Sequence, residues 1–178
     1  MTEHIYNFNK VRLAEANSII SRNVLWALGA GTVGSFVPVP LADAALIGAV
    51  QLRLVAQLST RYGVPFHENA AKGVIGSLIG GLAPGLVAGA YTGLIRMVPV
   101  IGHYLALATL PLFGAATTYA LGKVFVQHFE IGGTFLDFNP DANRKYFLQQ
   151  FEDYKNSEAE RKAEAEKLAN QTPSPAGA

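Results

Sequence analysis

Apolar and charged positions alternate at helical spacing through residues 1–22, where Val11, Leu13, Ile19 and Ile20 stand among Lys10, Arg12, Glu15 and Arg22. The pattern predicts an amphipathic N-terminal arm lying at a surface. From Asn23 to Ala42 no charge occurs, and the stretch ends in Pro38-Val39-Pro40, which cannot continue a helix. Residues 41–62 then read as an amphipathic helix with Asp43 in its first turn and Gly63 at its end. Its apolar face is Leu46, Ile47, Val50, Leu54 and Leu58, and its polar positions are Gln51, Arg53, Gln57 and Arg61.

Two long apolar stretches follow. No Asp, Glu, Lys or Arg lies between Lys72 and Arg96, and none lies between Met97 and Gly122. At about 1.5 Å of rise per residue each is long enough for a bilayer core of about 30 Å. A transmembrane hairpin is therefore expected over about 73–122, turning at Arg96, Pro99, Gly102 and His103. If only this hairpin crosses, the basic residues near its ends lie on one side, with Arg96 alone on the other. That bias places both termini on the cytoplasmic side of a bacterial inner membrane and makes 23–42 a re-entrant or bundle-buried helix, with a third span as the alternative.

Beyond Lys123 the chain turns polar. Asn139-Pro140-Asp141 starts a C-terminal helix over 139–168 whose apolar side is Phe147, Phe151 and Tyr154, and 169–178 read as a disordered tail. The expected fold class is all-α: a membrane helical bundle over 23–138 holding the hairpin and the preceding apolar helix, with amphipathic helices flanking it.

Glycine adds a packing expectation. Gly81, Gly85, Gly89 and Gly93, with Gly76 and Gly80 upstream, recur at four-residue spacing. Such a line lets a second helix backbone approach closely. It marks a helix-packing or oligomerisation surface, whose partner is either the other arm at Gly114, Ala115 and Ala116 or another subunit. Pro84 should kink this helix.

Composition and candidate chemistry mainly exclude. Of 178 residues half are hydrophobic and 15% charged, and the formal net charge is +1. There is no clustered basic face for phosphates, so nucleic acid is not an expected partner. Without cysteine there is no disulfide framework and no thiolate. His4, His67, His103 and His128 are scattered, and His67-Glu68 lacks the second histidine a zinc helix needs, since position 71 is Ala. Ser59 and Ser77 stand in no nucleophile elbow. Gly29, Gly31 and Gly34 match GxGxxG, but Pro38 and Pro40 cut off the helix that would face a phosphate. Ala42-Asp43-Ala44 could end a signal peptide, yet the preceding region is long, acidic in part and amphipathic. No catalytic residue, cofactor site or metal site is expected, and the chain does not read as an enzyme.

Five short cues occur in order: Pro38-Val39-Pro40, Ala42-Asp43 leading to Gln51, Tyr62-Gly63, Pro99 to Gly102, and Thr118-Tyr119 leading to Gly122. Together they resemble the YcjF-like family of uncharacterised bacterial inner-membrane domains, also called domain of unknown function 697, over residues 36–133. The resemblance implies a membrane module that accompanies GTPase domains, here a partner in trans. The function expected is a non-enzymatic structural or regulatory module in membrane lipid, a homo-oligomer through its glycines. Alternatives are an oligomeric pore with Arg96 and His103 at its mouth, or a membrane-deforming wedge.

Overall fold

The computed structural model describes residues 2–33, 40–80 and 99–171, with side chains over 9–29, 45–80 and 111–167. These residues form five helices: α1 Thr2–Val33, α2 Pro40–Tyr62, α3 Glu68–Gly80, α4 Pro99–Glu130 and α5 Pro140–Gln171. The all-α expectation agrees with this architecture.

The expected boundary at residue 22 is absent. Ala16, Ile20, Asn23, Val24 and Ala27 are all buried at helical period, so one apolar stripe runs through the step in charge. The N-terminal arm and the first part of the apolar segment are thus one helix, and residues 23–33 are not re-entrant; Pro38 lies outside the described residues. Pro40 opens α2, where its missing N–H costs nothing. Gly63 closes it at φ 68°. The Gly63 N–H donates to Thr60 O at 3.3 Å and the Val64 N–H to Ser59 O at 2.9 Å, the paired bonds of a left-handed helix stop. Asn139 caps α5, its Oδ1 accepting from the Asp141 and Ala142 N–H groups at 3.0 and 3.1 Å. As the sequence pattern predicts, Phe147 and Phe151 of α5 are buried. The helix runs on to Gln171, past the expected start of the tail; 172–178 lie outside the described residues.

The bundle is built around α4. α1 lies antiparallel to it, pairing Arg12 with Glu130 and Asn17 with Lys123. α2 runs parallel to it, pairing Gln51 with Thr117 and Tyr62 with Glu130. α5 covers another side through Phe113–Phe151, with ring centres 5.7 Å apart, while α3 packs on α2 and α5. The close approach of α1 to α4 requires Gly122, because a Cβ there would lie 2.6 Å from Ile20 Cγ1.

This arrangement corrects the expected transmembrane hairpin. Among the described residues no helix is long and apolar enough to cross a membrane. The described part of α3, Glu68–Gly80, holds 13 residues, about 20 Å of helix. α4 is continuous through Lys123 to Glu130. From Gly114 onward its apolar residues face three neighbouring helices, and a helix apolar all round can be a bundle centre as readily as a span. Pro99 is the first residue of α4 and Gly102 and His103 lie in its first turns, so these three are helical rather than a reversal; Arg96 lies outside the described residues. Counting charges around spans therefore no longer orients the termini.

Candidate functional site

Polar ties link α1, α2 and α4 along the bundle. At one end the Arg12 guanidinium meets the Glu130 carboxylate twice, Nη2 to Oε2 at 2.8 Å and Nε to Oε1 at 3.3 Å. The Tyr62 hydroxyl donates to the same Oε1 at 2.6 Å. The Arg12 charge also lies 5.1 Å from the Tyr62 ring centre. This bidentate geometry is the strong form of an ion pair. Burial alone would raise the Glu130 pKa, but the hydrogen bonds from Arg12 and Tyr62 and the Arg12 charge outweigh it and hold the carboxyl below its ordinary value. Tyr62 is pushed well above the usual phenol value, first by burial and then by its bond to Glu130 and that group's charge. Arg61 pairs with Glu15 beside this group.

About two turns further along α4, Lys123 Nζ donates to Asn17 Oδ1 at 2.9 Å, and burial lowers its pKa. Asn23, only 2% exposed, donates through Nδ2 to Ile19 O at 2.9 Å and to Gln57 Oε1 at 2.8 Å. Gln51, also buried, donates through Nε2 to Thr117 Oγ1 at 3.1 Å between α2 and α4. Thr117 and Thr118 in turn donate to backbone carbonyls one turn back, at Phe113 and Gly114. Gln51 and Gln57 therefore point inward, against the expectation that they form a polar outer face, while Leu46 of the expected apolar face is exposed.

Of the family cues, Gln51 and Tyr62 take part in these ties. Thr118 is buried on α4 and bonds within its own helix; Tyr119 packs on Tyr154 of α5 at 5.1 Å between ring centres; Gly122 admits Ile20. Asp43 lies in the first turn of α2. Arg12, Asn23, Thr117 and Glu130 escape a reading of the sequence by residue type. Only one signal marks them: Glu130 is the sole acid between Glu68 and Asp137 and closes an apolar run. His128, scattered in the sequence from the other histidines, is 8% exposed, its Nε2 at 2.8 Å from Thr134 O.

Of the glycine line, Gly76 and Gly80 lie on the solvent side of α3, and Gly81, Gly85, Gly89 and Gly93 lie outside the described residues. Gly114 is occupied within the bundle, facing Ile47 of α2 and the Ala27 carbonyl of α1. Among the described residues no three His, Asp or Glu side chains form a metal cluster. Glu130, saturated by Arg12 and Tyr62, serves the fold as an acceptor.

A sequence profile described as a domain of unknown function, DUF697, matches residues 6–156. The chain belongs to this family. The DUF697 match takes in α1 and the first half of α5, beyond the 36–133 stretch that carries the resemblance. The chain is also similar to magnetosome membrane protein 22 of Magnetospirillum gryphiswaldense, 42% identical over 156 residues, covering 86% of this chain and 77% of that protein. No solved structure matches it.

Proposed function

We propose that the chain is a non-enzymatic, membrane-associated helical module that self-associates. The observation that carries this reading is the 42% identity, across most of both chains, to a protein named for the magnetosome membrane. The composition of α4 supports it: no Asp, Glu, Lys or Arg occurs from 99 to 122, an apolar length that a bilayer interface accommodates.

For self-association the support is the open glycine side of α3. A side chain at Gly73, Gly76 or Gly80 would meet nothing within 4 Å, while Ala71, Val74, Ile75 and Leu78 opposite are buried. With Gly114 filled by Ile47, a second copy would be the partner of the described part of the glycine line, Gly76 and Gly80. A GTPase-domain partner, implied by the family resemblance, would find the charged and exposed second half of α5 as its contact.

Fractionation of bacteria expressing the chain tests the reading: it should sediment with membranes, and recovery in the supernatant would refute it. Crosslinking in those membranes tests the glycines. Gly76→Leu with Gly80→Leu should abolish the oligomer, and an unchanged oligomer would remove them from the interface.

A further inference from the structure

On the α1–α2 side of the bundle, away from α4, large apolar side chains stand in solvent. Leu25 and Trp26 of α1 are 67% and 61% exposed, and Leu46 of α2 is 45% exposed. Two arginines border them. Arg22 lies one turn before Trp26, and the Arg53 guanidinium sits 5.7 Å from the Trp26 ring centre; both are exposed. No Asp or Glu occurs from 16 to 33 or from 44 to 62; the nearest acids on the two helices are Glu15, which is paired with Arg61, and Asp43 at the start of α2. The net charge of +1 therefore conceals a local excess of bases around Trp26.

We propose that this face binds the headgroup boundary of an anionic bilayer, with Trp26, Leu25 and Leu46 entering the apolar side and Arg22 and Arg53 meeting lipid phosphates. The proposal rests on the membrane-associated reading and says which surface makes the contact. Tryptophan and arginine are the side chains suited to that boundary, the ring amphipathic and the guanidinium able to bond phosphate in two places. The mixture of a basic rim and an apolar centre is that of helices lying in the interface plane. The most exposed apolar side chains, Ile131 at 80% and Leu136 at 86%, lie at the opposite end beside Glu130 and Asp137. Acidic neighbours make that end the poorer match to an anionic surface.

Trp26 is the only tryptophan, so its emission reports on this face alone. The full chain is titrated with phosphatidylcholine vesicles with or without phosphatidylglycerol, and flotation is scored in parallel. With anionic vesicles the emission should shift to the blue and be quenched by lipids brominated near the headgroup. Arg22→Gln with Arg53→Gln should weaken binding by about 25-fold, roughly fivefold for each charge. Leu136→Ser should leave it unchanged. If the chain floats with vesicles while Trp26 emission stays put, the face is wrong and the membrane reading stands. If the chain does not float, the membrane reading itself fails. A blue shift that follows protein concentration without lipid would assign the face to a second copy and overturn the proposal.

Discussion

Arg12 and Glu130 are 118 positions apart in the chain and 2.8 Å apart in space, joining the first helix to the end of the central one with Tyr62 as the third member. This contact fixes the antiparallel register of α1 on α4. It also makes the bundle sensitive to pH at both extremes.

The folded Glu130 pKa is depressed, so its contribution to stability is fully present above the unfolded value of about 4.3 and is lost as pH falls through the folded value. Tyr62 has a raised pKa, so its contribution is present below about 10 and is lost as pH rises towards the folded value. Glu130→Gln should lower the unfolding free energy by about 1–2 kcal/mol at neutral pH. It should also flatten the acid limb of a urea-denaturation series. Tyr62→Phe should flatten the alkaline limb instead.

Gln51 and Thr117 should behave asymmetrically. Thr117→Val leaves the Gln51 amide buried without its acceptor and should cost about 1–3 kcal/mol. Gln51→Leu leaves Thr117 still bonded to the backbone of its own helix and should cost less. A double-mutant cycle by chemical denaturation should show the pair recovering part of the Thr117→Val loss.

Gly122→Ala gains helix propensity, worth about 1 kcal/mol, and yet should destabilise. The new methyl would meet Ile20, a β-branched side chain with little freedom at χ1, and overpacking of this kind costs about 1–3 kcal/mol. Thermal unfolding should show a lower midpoint, restored in part by Ile20→Ala.

Local rules made the ends of elements legible. Pro40 and Gly63 bound α2 because each does one backbone job, and Asn139-Pro140 starts α5 for the same reason. The Phe147 and Phe151 stripe is legible because α5 buries only one face. α4 is not, since its uninterrupted apolar run up to Gly122 is what either a bilayer or three surrounding helices would select. Gln51 and Gln57 mislead in another way. Their side chains are polar, but each finds a partner across the bundle, and residue type says nothing about a partner on another helix. Arg12 and Glu130 are invisible for that reason too, although the family cues Gln51, Tyr62 and Thr118 mark the helices that hold the ties.

The central claim is that the apolar residues of α1 and α4 form a closed bundle and that this bundle is what meets the membrane. Spin labels on introduced cysteines at the exposed Ser18 and Gln127, in a chain with no cysteine of its own, test it by the distance between α1 and α4 in vesicle-bound protein. The account predicts one narrow, short distance, the same with and without vesicles, as for helices packed on the order of 8–10 Å apart axis to axis. A long or broad distribution that forms on vesicle binding would show the bundle opening to insert its helices and would contradict the account.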